Sequence, residues 1–133
     1  MKYLLDTNTC IRYINGRAPQ IRIHLLNTSQ DDIAVCSIVK AEMTYGALKS
    51  QYPETSLAKQ HHFLAQFRSL PFDDDTVFHY GKIRANLEKR GIPIGHADIQ
   101  IASIALRYGL ILVTHNTREF SRVEGLVLAD WEI

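Results

Sequence analysis

Short runs of apolar residues along the chain alternate with longer segments in which apolar residues recur every three or four positions. Three runs, at residues 3–5, 33–35 and 110–113, are continuously apolar, which is typical of strands covered on both faces. Weaker runs at residues 70–72 and 126–128 predict two more strands. The pattern therefore predicts five short strands separated by helical segments.

The helical segments carry recognisable start and stop residues. Small polar or acidic residues stand where a helix N-cap is expected, and glycines stand where a helix ends. The predicted helices are one through residues 10–14, one capped by Ser37, one over residues 54–68, one over residues 76–90 that Asp74 caps and Gly91 ends, and one that Asp98 opens and Gly109 ends.

Strands that alternate with helices predict an α/β fold in three layers, with a central and mainly parallel sheet between two layers of helices. The 133 residues contain no repeat, low-complexity tract or linker-like segment, so we expect one domain over residues 1–133. In such folds ligands bind where the strands end at their carboxyl side. Functional residues are therefore expected at that edge of the sheet.

The amino-acid composition excludes several classes of protein. The chain has 15 basic and 14 acidic residues, which excludes a protein that holds nucleic acid by its bulk charge. Its 46% hydrophobic residues exclude a disordered chain. Asp6 interrupts the N-terminal apolar run and no apolar run approaches a membrane span, so we expect a cytoplasmic protein without membrane contact. Cys10 and Cys36 lie in apolar runs and are expected to be buried thiols.

Three acidic residues stand at positions of chemical interest. Asp6 directly follows the first strand, Glu42 lies in the helix after the second strand, and Asp98 opens a later helix. Each has a structural alternative, because Asp6 and Asp98 suit helix N-termini and Glu42 suits a solvated helix face. Residues 114–117 add further oxygen-bearing side chains after the strand at 110–113.

Convergence of these carboxylates would favour a bound cation. Each carboxylate raises the pKa of its acidic neighbours, and a divalent ion removes that repulsion. Oxygen ligands suit Mg²⁺ or Mn²⁺, whereas the lack of a Cys/His cluster argues against zinc. A hydrated Mg²⁺ site favours hydrolysis of a phosphodiester.

Four segments together resemble a known family. They are residues 4–8 (Leu-Leu-Asp-Thr-Asn), residues 37–43 with Gly46, residues 95–98 with Ile101 and Ala102, and residues 113–116 with Glu119 and Phe120. Their order and spacing, followed by Ala-Asp-Trp at residues 129–131, resemble those of PIN-domain ribonucleases, specifically the VapC toxins of type II toxin–antitoxin modules. The resemblance covers essentially the whole chain.

This resemblance implies a Mg²⁺-dependent endoribonuclease, with Mn²⁺ as a possible substitute, that cuts tRNA or another structured RNA and thereby inhibits translation. It implies a homodimer and a VapB-type antitoxin whose tail covers the acidic cleft. Asp6 and Asp98 match the principal metal-binding aspartates, Glu42 matches the family glutamate, and Asn116 stands where many PIN domains have a fourth acid. The catalytic set is therefore Asp6, Glu42, Asp98 and Asn116, with Asp6 and Asp98 as metal ligands.

Two alternatives remain open on the sequence. A haloacid-dehalogenase-like phosphatase also places an Asp after its first strand, but its second Asp is replaced here by Asn8. A catalytically weak PIN-fold RNA-binding domain is the second alternative, against which the three intact acids argue. The acidic run at residues 73–75 is assigned to capping and solvent, residues 61–64 and Phe67 to packing or a dimer surface, and His96 to a loop. Basic residues of the helix at 76–90 form either a phosphate track or a solvated face.

Overall fold

Five short strands and seven helices build the chain, and the computed structural model describes all residues from Met1 to Ile133. The strands are β1 (Tyr3–Leu5), β2 (Ile33–Cys36), β3 (Arg68–Leu70), β4 (Ile111–Val113) and β5 (Leu128–Ala129). The helices are α1 (Thr7–Ile14), α2 (Pro19–Leu26), α3 (Ser37–Leu48), α4 (Pro53–Leu64), α5 (Val77–Lys89), α6 (His96–Tyr108) and α7 (Thr117–Phe120). Short 3₁₀ helices cover Gln30–Asp32 and Asp74–Thr76.

The strands form one sheet in the order β3-β2-β1-β4-β5, and every pairing is parallel. All four residues of β2 are buried, so both faces of the sheet are covered at that strand. The core contains 28 buried residues, most of them from the strands and the helices that pack on them. The predicted three-layer α/β fold is confirmed, and both cysteines are buried free thiols as predicted.

The strand order reverses next to β1, because the chain places β2 and β3 on one side of it and β4 and β5 on the other. Asp6 follows β1, and its amide donates to the carbonyl oxygen of Val113 in β4 at 3.1 Å. Ligands of open α/β sheets bind outside the carboxyl ends of strands at such a reversal. The fold therefore brings the residues after β1 and β4 to one crevice.

Several predicted element bounds are wrong at the sheet edges. β3 is Arg68–Leu70 rather than residues 70–72, because Pro71 has no amide hydrogen with which to extend the pairing to β2. The preceding helix α4 consequently ends at Leu64 and not at residue 68. β5 is Leu128–Ala129 rather than residues 126–128, since its register is set by pairing with Leu112 and Val113.

Two predicted caps are also wrong, and one helix was not predicted. Cys36 occupies the N-cap of α3, while the hydroxyl of Ser37 accepts a hydrogen bond from the Phe72 amide. Asp74 lies inside a 3₁₀ turn, and the preceding Asp73 accepts a hydrogen bond from the Thr76 hydroxyl. Helix α2 was not predicted because its apolar pattern is weak, and only Ile21 of this helix is buried. None of the seven helices has the length and apolar character that a membrane crossing requires.

Candidate active site

A cavity of about 100 Å³ lies at the strand-order reversal and gathers all four residues predicted for the site. Asp6 follows β1, Glu42 comes from α3, Asp98 from the first turn of α6, and Asn116 from the turn after β4. A larger cavity of about 330 Å³ contains a single carboxylate, that of Glu124. The small cavity is therefore the place where carboxylates from separate segments converge. Its lining is completed by Thr7, Asn8, Ile101 and Phe120.

Asp6 is both a helix cap and a buried wall of this cavity. Its side chain is 5% exposed, and its Oδ1 accepts a hydrogen bond from the Thr9 amide at 2.8 Å at the start of α1. Burial raises the pKa of the Asp6 carboxyl, while hydrogen bonds with Thr114 and Thr9 act against that rise. The Thr9 amide of the cap uses only Oδ1, so the capping role is compatible with the position of the Asp6 carboxyl in the cavity wall.

Glu42 is held toward the cavity by a residue that sequence reasoning did not single out. The Thr7 hydroxyl donates to Glu42 Oε1 at 2.6 Å, across 35 residues of chain. Thr7 is the first residue of α1, directly after Asp6, so one helix start positions two of the acids. Glu42 is exposed, as expected for a residue on a solvated helix face. Its side chain nevertheless lines the cavity.

Asp98, like Asp6, has a carboxyl whose pKa is raised in the cavity. Burial, followed by the negative charges of Glu42, Glu119 and Asp6, raises the pKa of Asp98 to about 6. Asp98 is the third residue of α6, which begins at His96, so the positive end of the helix dipole is the only favourable partner that the backbone supplies. A cation binds favourably in such a cavity because it relieves the repulsion between the carboxylates.

Asn116 is oriented by Glu119, a residue that belongs to the family resemblance but to which sequence reasoning assigned no role. Its side-chain amide donates to Glu119 Oε2 at 3.2 Å, and its backbone amide donates to the Thr114 hydroxyl at 3.0 Å. Fixing the nitrogen in this way leaves the amide oxygen free as an acceptor. The three-residue spacing of Asn116 and Glu119 on the turn into α7 is the sequence signal that could have predicted this pairing.

Two further polar pairs hold the C-terminal segment, one to the turn after β4 and the other to helix α1. His115 Nδ1 lies 2.9 Å from Asp130 Oδ2, and Arg12 Nε donates to Glu132 Oε1 at 2.7 Å. The Glu132 side chain is 8% exposed, and its charge contributes to the raised pKa of Asp6. These pairs span 15 and 120 residues, so no local pattern could have predicted them.

Other sequence candidates have structural roles. Asp73 and Asp75 bind Arg107 at 2.7 and 3.1 Å, so the acidic run pairs with α6 in addition to facing solvent. Phe63 and Leu64 belong to the core, which confirms packing for that pair. His96 begins α6 and is exposed, so its assignment to a loop is wrong.

The donor set of the cavity suits a hard divalent cation. Its polar lining consists of carboxylate, amide and hydroxyl oxygens, and neither cysteine nor histidine reaches it. No group of three or more His, Cys, Asp or Glu side chains is arranged to hold a metal ion by itself. The cavity residues therefore suit a divalent cation that takes part of its coordination from water or from a bound ligand.

In the absence of divalent cations, Asp98→Asn is expected to stabilise the protein at neutral pH. Burial raises the pKa of Asp98 in the folded state to about 6, above its ordinary value of 3.8. The protonated carboxyl therefore contributes fully to stability below pH 3.8, and this contribution is lost as the pH rises through 6. At pH 7.5 the uncharged Asn should add about 1 kcal/mol to the free energy of unfolding, after allowing for the partial exposure of Asp98.

Urea unfolding in EDTA at pH 7.5 and pH 4.5 measures this difference. The gain from Asp98→Asn should shrink to a few tenths of a kcal/mol at the lower pH. Asp31→Asn, which removes an exposed carboxylate outside the cavity, is the matched control and should change neither value. Equal stability of parent and Asp98→Asn at pH 7.5 would show that Asp98 is not under electrostatic strain.

Comparison with known proteins identifies the family. A model of the PIN domain matches residues 3–126. The chain is 42% identical to the tRNA(fMet)-specific endonuclease VapC of Salmonella typhimurium over 98% of each chain, and 38% identical to ribonuclease VapC2 of Rickettsia felis over 99% of each. Its fold matches the crystal structure of DNA-bound VapBC from Salmonella typhimurium with a TM-score of 0.91, over 98% of both chains. The chain thus belongs to the PIN-domain family and, within it, to the VapC ribonucleases.

Proposed function

We propose that this chain is a divalent-cation-dependent endoribonuclease toxin that hydrolyses phosphodiester bonds of tRNA and is neutralised by a VapB-type antitoxin. The observation that carries the proposal is the cavity itself, in which Asp6, Glu42, Asp98 and Asn116 from four separate segments meet at the strand-order reversal. Membership of the PIN-domain family removes the phosphatase alternative.

VapC nucleases of the PIN-domain family generally depend on a divalent metal. We propose Mg²⁺ for this chain, with Mn²⁺ as a substitute, because the cavity offers oxygen donors only. Asp6 and Asp98 are the residues that hold it, since both are partly or fully removed from water and both have a raised pKa. When bound, the ion activates water as a nucleophile and stabilises negative charge that develops on the phosphate.

The side chains have separable tasks in this proposal. Glu42 uses Oε1 to accept the Thr7 hydrogen bond, so Oε2 is free to accept a proton from the attacking water. Asn116 presents its amide oxygen because Glu119 fixes the amide nitrogen. Thr7 and Glu119 are thus positioning residues, and the absence of a charge at Asn116 favours one tightly held cation over two.

The substrate and partner follow from the relatives. The VapC of Shigella flexneri, 42% identical over 98% of both chains, is named a tRNA(fMet)-specific endonuclease, and several solved relatives are VapBC complexes. We propose tRNA as the substrate class, an antitoxin as the partner, a homodimer as the assembled form and the cytoplasm as the place of action. An antitoxin tail that offers an Arg to the acidic cavity would block it by charge pairing.

Production of the chain in a bacterial host is expected to arrest growth. Co-production of its VapB-type antitoxin should restore growth, because the proposed antitoxin tail would cover the cavity. The host should tolerate production of the Asp98→Asn variant without an antitoxin, because this variant lacks the carboxylate charge that cleavage requires. Colony counts after induction measure all three results, with matched protein levels checked by immunoblot.

Sequencing of RNA 5′ ends from the same cultures identifies the substrate. New 5′ ends within a tRNA should accumulate with the parent chain and not with Asp98→Asn. Growth arrest without new RNA 5′ ends would favour a catalytically weak RNA-binding domain instead. Appearance of the same 5′ ends with Asp98→Asn would favour that alternative as well.

A further inference from the structure

An exposed aromatic residue stands one helical turn from the cavity on the same face of α3 as Glu42. Tyr45 follows Glu42 by three positions, and Lys49, the C-cap residue of α3, follows it by seven, so the three side chains form one stripe that runs to the end of the helix. Tyr45 is 65% exposed, so most of its large aromatic surface is not packed against the rest of the protein. The stripe leads directly away from the acidic cavity.

The Lys49 ammonium lies over the Tyr45 ring, 4.6 Å from its centroid. Lys49 takes part in none of the six ion pairs of the chain, so its charge is free for an external anion. The ammonium covers one face of the ring, and the exposure of Tyr45 leaves the other face accessible. An accessible aromatic face beside an unpaired cation suits a nucleotide, whose base stacks and whose phosphate is negative.

Space for such a ligand exists between Glu42 and Lys49. Gly46 occupies the intervening position on the stripe, and a Cβ placed there meets no atom within 4 Å. Tyr45 lies about 4.5 Å further along the helix axis than Glu42, and helical side chains tilt toward the N-terminus, which is here the end at the cavity. A base stacked on Tyr45 would therefore lie next to a phosphodiester placed in the cavity.

We propose that Tyr45 and Lys49 form a subsite for an unpaired nucleotide that flanks the scissile bond of the RNA. Tyr45 stacks on the base, and Lys49 contacts a backbone phosphate. This inference rests on the proposed ribonuclease activity and adds a binding element to it. Because every base has a stacking face, the subsite selects an unpaired position of a structured RNA more than a particular base.

The experiment compares steady-state cleavage of tRNA by the parent and by Tyr45→Leu, Tyr45→Phe and Lys49→Gln. Tyr45→Leu removes the aromatic ring and should raise KM about 5- to 100-fold while changing kcat less than about threefold. Tyr45→Phe keeps the ring and should stay within about twofold of the parent. Lys49→Gln should lower the dependence of log KM on log salt concentration by about 0.7, the value for one phosphate contact on a single strand.

Tyr52→Leu is the matched control. Tyr52 is 67% exposed, as Tyr45 is, but it lies beyond the end of α3 and one residue before α4. This control should leave KM within about twofold of the parent. An equal rise in KM for Tyr52→Leu would show that the effect comes from exposed tyrosines in general and would overturn the subsite.

Three other results would also overturn the proposal. An unchanged KM for Tyr45→Leu would show that the ring does not contact RNA. A change of oligomeric state in Tyr45→Leu, measured by light scattering, would make the stripe an interface between copies of this chain. Weaker capture of the antitoxin with unchanged RNA cleavage would make it a protein-binding surface. Failure of the parent itself to cut RNA would instead refute the proposed function, so the two failures are distinguishable.

Discussion

Asp98→Asn is expected to lower the rate of tRNA cleavage by a factor of about 100 to 1,000. The substitution keeps the shape of the side chain and removes one negative charge from the cavity, so it weakens cation binding without emptying the space. Stabilisation of phosphate charge by a bound cation contributes several kcal/mol to the transition state, which sets this magnitude. Single-turnover cleavage of purified tRNA, with the reaction followed on a denaturing gel, measures the rate.

Two companion variants separate chemistry from folding. Asp6→Asn should lose activity to a similar extent, and its fold should persist because Asn caps a helix about as well as Asp does. Asp31→Asn removes an exposed carboxylate outside the cavity and should cleave like the parent. Parent-like cleavage by both Asp98→Asn and Asp6→Asn would contradict the assignment of the cavity as the active site.

Removal of divalent cations is expected to abolish cleavage, with a fall of about 100-fold or more in excess EDTA. Mg²⁺ or Mn²⁺ should restore the rate, because both accept the oxygen donors that line the cavity. Zn²⁺ at the same concentration should restore little, since neither a thiol nor an imidazole lines the cavity.

The same cleavage assay, repeated after dialysis against EDTA and then with each cation, makes the measurement. Thermal unfolding in each buffer serves as the control for loss of structure. Full cleavage in EDTA would contradict a cation-dependent mechanism, and restoration by Zn²⁺ alone would contradict the oxygen-donor interpretation of the cavity.

The central strands could be predicted from the sequence because burial on both faces makes them continuously apolar. β1 and β2 begin at the predicted residues, and β4 begins one residue later than predicted. The edge strands could not be placed in this way. β3 buries only Leu70 of its three residues, and the register of β3 is set by its pairing with β2, which no local pattern records.

The acids of the cavity could be predicted because each occupies a characteristic position next to a strand or helix end. Their supporting residues could not, since the partners lie far apart in the chain. Thr7 meets Glu42 across 35 residues, and the charge of Glu119 affects Asp98 only because the fold brings these two distant segments near each other. A sequence pattern identifies side chains with suitable chemistry, whereas tertiary contacts decide how each one is oriented.

The helix cap formed by Asp6 and the first-turn position of Asp98, which lies two residues inside α6 and does not open it as predicted, show that structural and functional interpretations of one residue are compatible. Asp6 caps α1 through a single oxygen, and Asp98 sits in the favourable first turn of α6. These helix starts lie at the carboxyl edge of the sheet, which is where the cavity forms. The same backbone positions therefore stabilise the helices and place carboxylates in the cavity.

The most direct test of the account is the single-turnover rate of tRNA cleavage measured as a function of Mg²⁺ concentration for the parent and for Asp98→Asn. We predict that the parent saturates, whereas Asp98→Asn requires at least about tenfold more Mg²⁺ and reaches a far lower plateau. Such a shift would tie the cation, the carboxylate and the cleavage reaction to one cavity. Superimposable curves for the two proteins would contradict the account.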